Sequence, residues 1–171
     1  QAVVVRKLYD NIVSYLSSLF SSGSMTEEQA TQTAGMMYIL SDIERTDALC
    51  TEATESLQSI LEKKHKLSPE AVEDLCRGLQ IIEDMYQNVL EVIRTGNGED
   101  ARKIVHKKDN VLDLTLKLRK NHMKRVKQGA CDAEMTSDFT RILHSFDRIG
   151  NSCANIADAA LTGVSFESVL K

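Results

Sequence analysis

The sequence is poor in residues that break helices or build strands. It has no tryptophan, one proline and eight glycines in 171 residues, and its valine, isoleucine, tyrosine and phenylalanine residues do not form alternating runs. Such runs are what a half-buried strand requires, so we expect no β-sheet. With 42% hydrophobic and 27% charged residues the composition is that of a folded soluble domain. We predict one all-helical domain over residues 1–171.

Several function classes lack the features they need. No apolar run reaches the roughly 20 residues of a membrane span, and there is no signal peptide. The net charge of −4 argues against nucleic-acid binding. There is no nucleotide-binding loop and no nucleophile elbow, and neither "ARKIVH" nor "FTRILH" offers the Glu-x-x-His pair that di-metal bundles carry on two helices. The four cysteines include no C-x-x-C pair, which fits a reducing compartment. We therefore predict that the chain is not an enzyme.

The apolar period of 3.6 residues predicts five helices, at about 2–21, 26–65, 69–94, 99–128 and 133–162. Long helices with short connections pack most simply as an antiparallel bundle. The first helix has an apolar face of Val5, Leu8, Ile12, Tyr15, Leu16, Leu19 and Phe20. The second has a predicted core face of Met36, Ile39, Leu40, Ile43, Cys50, Leu57, Ile60 and Leu61.

The chain also contains an internal repeat. "DNIVSYLSSL" (10–19) aligns with "DNVLDLTLKL" (109–118), and "ILSDIERTDALCTEATESL" (39–57) aligns with "ILHSFDRIGNSCANIADAA" (142–160). Two helices of the first half thus recur, in order, in the second half. The third predicted helix has no counterpart in the first half. We predict two three-helix repeats, with a partial first repeat over 1–66 that lacks its first helix and a second repeat over 67–171. Because the chain begins at Gln1 inside a helical pattern, we expect it to be a piece of a longer protein.

The segments "DIERTDALCTEATE" and "FDRIGNSCANIAD" resemble the two signature helices of PhoU-like proteins. Together with "NIVSYLSSLFSSGSMTEEQ", they are most similar to the C-terminal PhoU-type domain of sodium/phosphate cotransporter-like proteins. This resemblance implies a helical-repeat fold and a cytosolic regulatory role in sodium-dependent phosphate transport and phosphate homeostasis. It also implies a place at the plasma membrane as part of a membrane protein. The implied partners are the transmembrane domain of the same cotransporter-like protein or other phosphate-transport proteins, and a homodimer stays open as an alternative.

The resemblance further implies metal clusters on acidic turns of the E(D)xxxD type. Asp109 and Asp113 match such a turn in full, whereas Asp147 is followed by Asn151. In the first repeat, Glu44 and Asp10 match only the first position of their turns, because Ala48 and Ser14 occupy the second.

The spacing of the residues supports a metal site independently. His106, Asp109 and Asp113 stand at i, i+3 and i+7, and His144, Asp147 and Asn151 repeat that spacing. If the two helices are neighbours, these side chains could converge on Fe, Mn, Zn, Mg or Ni. In the first repeat, Asp47 falls on the predicted core face, where a carboxylate needs an ion pair or a cation. Two alternatives stay open: a metal-binding helical-bundle enzyme or metal store, and a plain helical interaction module with decayed metal sites.

Overall fold

The chain folds into five α-helices and one short 3₁₀ helix in a computed structural model, which describes residues 2–23 and 25–161. The α-helices are α1 (Ala2–Ser21), α2 (Glu27–Glu62), α3 (Pro69–Thr95), α4 (Gly98–Lys127) and α5 (Thr136–Leu161), and the 3₁₀ helix is Ala133–Met135. The described residues contain no strand, so the all-α prediction is confirmed.

Local sequence sets where the helices begin and end. Thr26 caps α2 through a reciprocal capping box with Gln29, in which each side chain accepts from the other residue's backbone N–H. Ser68 caps α3 ahead of Pro69. Gly96 ends α3 in the left-handed conformation at φ 67°, and Asn97 then caps α4. The turn between α3 and α4 is therefore only two residues long, and the two helices run antiparallel.

Helix α5 lies at the centre of the bundle and packs against α2, α3 and α4. Half of its 26 residues are buried, many of them small or polar, such as Ser145, Gly150 and Ser152. At Gly150, an added Cβ would lie 3.2 Å from Val111 of α4. At Gly78 of α3, an added Cβ would lie 2.8 Å from the ring of Phe146. The absence of a side chain at these two glycines lets α3 and α4 approach α5 closely.

The two halves of the chain differ in how well their helices are covered. Helix α3 packs against both α4 and α5, whereas α1 packs mainly against α2. Among the described helices none takes the place beside α1 and α2 that α3 takes beside α4 and α5. This asymmetry fits the predicted repeat, in which α1 and α2 correspond to α4 and α5.

The predicted core face of α2 and the apolar face of α1 are only partly buried. On α1 Leu16 is buried, while Leu8 and Tyr15 are 55% and 63% exposed. On α2, Ile39 and Ile60 are buried and Met36 and Ile43 pack against the core, but Leu61 is 64% exposed. The exposed side chains have the spacing of a core face, but no described helix lies over them.

Gly78 supplies a direct test of the close packing around α5. Gly78→Ala places a methyl group against the buried Phe146 ring. Overpacking of this kind costs about 1–3 kcal/mol, while the better helix propensity of alanine returns about 1 kcal/mol. We expect a net loss of unfolding free energy for Gly78→Ala and a larger loss for Gly78→Leu, measured by urea denaturation. Gly98→Ala is the control, since its Cβ meets only Leu161 at an ordinary 3.4 Å; an equal loss there would contradict the explanation.

Candidate functional site

An open groove of about 630 Å³ lies between α1 and α2. Its α2 wall carries Glu44, Asp47, Glu52 and Glu55, and its α1 wall carries Arg6, Lys7 and Asp10. We call it the acidic groove. All three metal-ligand candidates of the first repeat, Asp10, Glu44 and Asp47, line this groove, but among the described residues no three such side chains are placed to hold a metal ion.

One ion pair crosses the acidic groove. Arg6 Nη1 donates to Glu44 Oε1 at 2.9 Å, and Arg6 Nε lies 3.9 Å from Asp10 Oδ1. Because the Arg6 side chain is largely exposed, this pair positions α1 on α2 without contributing much stability. The groove keeps an excess of carboxylates over cations, so its field attracts positively charged groups.

Asp47 lies in the wall of this groove and is not a core residue, which corrects the prediction made from the sequence. It is half-buried, and Cys50, one turn later on the same predicted face, is exposed. In the repeat alignment Asp47 takes the position of Gly150, where α4 approaches α5 through Val111. The first repeat thus has a carboxylate lining its groove where the second repeat has a glycine in close contact with α4.

The metal-ligand candidates of the second repeat lie on the outer surface of α4 and α5. These residues are His106, Asp109, Asp113, His144 and Asn151, all exposed, and Asp147, which is half-buried. The Asn151 side chain donates to the backbone carbonyl of Asp147 at 3.0 Å. Within residues 2–23 and 25–161, no group of three or more His, Cys, Asp or Glu side chains is placed to hold a metal ion. The metal site stays a prediction.

Sequence reasoning missed a buried polar contact between α2 and α5. Asp42 is 8% exposed, and Ser152 Oγ donates to its Oδ1 at 2.9 Å. Near the other end of α2, Ser59 Oγ donates to Asp138 Oδ2 at 2.8 Å. The repeat alignment could have indicated that Asp42 is buried, because it aligns Asp42 with Ser145, which is buried in the centre of α5. These contacts fix the register of α2 on α5.

A second missed cluster lies at the C-terminal end of α4. Arg125 Nη1 pairs with Asp74 Oδ2 of α3 at 2.8 Å, and both side chains are nearly buried. The neighbouring His122 is fully buried, stacks on Phe139 with ring centroids 4.1 Å apart, and has Nε2 3.2 Å from Thr136 Oγ1. Burial, together with the nearby Arg125 charge, lowers the pKa of His122. His122 is thus a neutral packing residue of the α3–α4–α5 junction.

The buried thiol of Cys153 is not poised for chemistry. Burial, with a contribution from the Asp42 charge, raises its pKa to about 12. Burial also raises the pKa of the Tyr86 hydroxyl, with smaller contributions from Cys153, Cys50 and Asp47. A thiol that stays protonated at neutral pH is a poor nucleophile. Cys153 therefore acts as a small core residue.

His122 makes a testable contribution to pH-dependent stability. Its pKa is lowered on folding, so below about pH 6.5 the unfolded chain binds a proton that the folded chain does not. The stabilisation is complete above that pH and is progressively lost as the pH falls toward the folded-state pKa. We expect the loss of unfolding free energy between pH 7.5 and 5.5 to be smaller in His122→Gln than in the parent. An unchanged profile in His122→Gln would contradict this assignment.

The metal prediction for the second repeat is tested by elemental analysis of the purified protein. If the candidate ligands of α4 and α5 bind a metal, the purified protein contains that metal stoichiometrically. The variants His106→Ala and Asp147→Ala should then both lose it. Chelation should then lower the melting temperature, because a ligand bound only by the folded state stabilises it. His65→Ala, at the α2–α3 connection, is the matched control. Absence of metal, with a melting temperature that chelation leaves unchanged, would favour the decayed-site alternative.

Comparison with known proteins places the chain in a family. No helix in the described part of the chain is both long and apolar enough to cross a membrane. No curated protein matches the chain. The PhoU domain family matches residues 75–160, half of the chain, which covers α4, α5 and most of α3. The chain belongs to the PhoU domain family.

Proposed function

We propose that this chain is the cytosolic regulatory domain of a sodium/phosphate cotransporter-like protein and acts through protein contacts. Membership of the PhoU domain family carries the proposal, since proteins of this family generally regulate phosphate transport and homeostasis. The finer assignment to a cotransporter rests on "NIVSYLSSLFSSGSMTEEQ" and the two signature segments. The domain would act at the cytoplasmic side of the plasma membrane on the transmembrane part of its own protein.

The surface of the first repeat supports a role in protein contacts. The acidic groove is lined by five carboxylates of α1 and α2 and by two cations, Arg6 and Lys7, while Arg141 of α5 lies 4.0 Å from Glu52. A basic loop or helix end of a membrane domain has the charge that complements this surface. Acidic residues at such a groove raise the association rate and select the partner more than they raise the affinity.

The described residues favour an interaction role over the alternative of a metal-dependent enzyme or metal store. His106 and His144 are exposed, and the carboxylates near them do not converge with them in groups of three. The buried Cys153 thiol and the buried His122 imidazole are both held in packed, uncharged states. The elemental analysis described above decides whether a metal adds to the interaction role.

The proposal predicts that the acidic groove controls phosphate uptake by the full-length protein. Glu52→Lys together with Glu55→Lys reverses the charge of one end of the α2 wall. We expect sodium-dependent phosphate uptake in cells to lose most of its response to external phosphate, because the partner contact is weakened. Glu83→Lys with Asp84→Lys, two exposed acidic residues of α3 outside the groove, is the matched control with the same change in net charge.

Two outcomes would contradict the proposal. In the first, removing the whole domain leaves phosphate uptake and its regulation unchanged, which would separate the chain from phosphate transport altogether. In the second, the groove variant and the α3 control have equal effects, which would show that net charge and not the groove is responsible. Expression level and melting temperature of each variant are measured in parallel.

A further inference from the structure

The C-terminal half of α4 contains the longest run of positive charge in the chain that no acidic residue interrupts. Residues 114–131 include six lysine and arginine residues and no aspartate or glutamate, although the whole chain has a net charge of −4. The nearest acidic residues along the chain are Asp113 and Asp132, and the Asp132 carboxylate already accepts from the backbone N–H of Lys66 at 2.6 Å. Acidic residues within the segment therefore do not neutralise its positive charge.

Four of these lysines lie on one face of α4 together with two apolar side chains. At 100° per residue, six residues of the last three turns fall within a sector of about 120°. These residues are Leu116, Lys117, Lys120, Met123, Lys124 and Lys127. All six are exposed, Leu116 to 50% and Met123 to 42%. We call this surface the basic face of α4.

The basic face points away from the core of the bundle. Helix α4 packs against α3 and α5 through its other side, where Val111, Leu118 and His122 are buried. On a helical wheel, the centre of that buried side lies about 180° from the centre of the basic face. The basic face is thus a convex helix surface, which suits a broad partner better than a small molecule that needs a cleft.

The four lysines of the basic face take part in none of the ion pairs formed within residues 2–23 and 25–161. Other basic residues of α4 are paired, since Lys103 Nζ lies 2.9 Å from Asp100 Oδ1 and Arg125 Nη1 lies 2.8 Å from Asp74 Oδ2. The charges of the basic face are therefore available to anions outside the domain.

The residue types on this face favour a lipid surface over an acidic protein. Arginine binds a single carboxylate or phosphate through two parallel hydrogen bonds, whereas lysine is a point charge that needs no fixed geometry. The two arginines of the segment lie outside the face, Arg119 half-buried and Arg125 paired with Asp74. Lysines beside exposed apolar side chains, here Leu116 and Met123, are the pattern of a helix that lies in the headgroup region of a bilayer.

We propose that the basic face of α4 docks the domain on the surface of a membrane that contains anionic lipids. The four lysines contact the lipid headgroups, while Leu116 and Met123 enter the boundary between headgroups and acyl chains. Each lysine near such a surface increases partitioning about fivefold, so four lysines predict half-maximal binding on the order of 1 mM lipid. This inference does not rest on a role in phosphate transport, because it concerns the lipid surface alone.

The experiment measures binding of the full chain to vesicles by flotation. The vesicles contain phosphatidylcholine either alone or with phosphatidylserine. We expect binding only to the vesicles that contain phosphatidylserine. Binding should fall steeply as the salt concentration rises above about 0.1 M, because salt screens interactions between exposed charges.

Two pairs of lysine substitutions locate the contact on α4. Lys120→Gln with Lys124→Gln should weaken vesicle binding about thirtyfold, at about fivefold for each lysine. Lys107→Gln with Lys108→Gln is the matched control, because both lysines are exposed and the change in net charge is the same. Lys108 lies about 18 Å from Lys120 along the helix, which exceeds the Debye length of about 10 Å. The control pair should therefore stay within about twofold of the parent.

A serine substitution tests the apolar part of the contact. Leu116→Ser should weaken binding to phosphatidylserine vesicles about threefold, because less apolar surface leaves water on docking. Leu79→Ser of α3 is the matched control, since Leu79 is 55% exposed and lies on another helix, and it should bind as the parent does. Circular dichroism checks that each variant folds, as expected for changes at exposed positions.

The proposal fails if phosphatidylserine does not increase binding. It also fails if the two lysine pairs weaken binding equally, since net charge and not the basic face would then be responsible. A third contradicting result concerns an acidic protein as the occupant. If polyglutamate binds the chain more tightly than the vesicles do at equal concentrations of negative charge, and Leu116→Ser leaves vesicle binding unchanged, the basic face is a site for an acidic protein segment.

Discussion

Close packing around α5 is the constraint on which the rest of the structure depends. This helix contacts α2, α3 and α4 at once, and three helices fit around it only where side chains are small. Gly150 admits α4, and Gly78 on the facing helix admits α3. Polar contacts then fix the third partner, since the buried Asp42 of α2 is held by Ser152 of α5. Loss of any one of these small or polar residues affects several helix pairs.

The two predicted repeats differ at one helix crossing. Gly150 lets α4 pack closely on α5, and Asp47, at the aligned position of the first repeat, lines the acidic groove between α1 and α2. The second repeat has α3 over its apolar side, while the described helices leave the equivalent side of the first repeat open. Among the described residues, the second predicted repeat is therefore closely packed, while the first leaves the acidic groove and an apolar side uncovered.

Much of the fold could be predicted from the sequence, because the helix signals are local. The capping box at Thr26, the Ser68–Pro69 start and the turn at 95–98 place helix ends within a few residues of their observed positions. Burial could not be predicted so well, because it depends on which helix lies over a face. Leu8 and Leu61 have core spacing but are exposed, while Asp42 and His122 looked like ordinary polar residues but are buried. For the same reason, the spacing of His106 and Asp109 could not show whether the candidate metal ligands of α4 lie close to those of α5.

Unequal packing of the two repeats is the central claim, and native-state hydrogen exchange resolved by helix tests it most directly. Amide protection reports the free energy of local opening, which is low where few apolar contacts hold a helix. The structure predicts that α1 opens at a much lower free energy than its counterpart α4, while α4 and α5 exchange only near global unfolding. Equal protection of α1 and α4 would contradict the account.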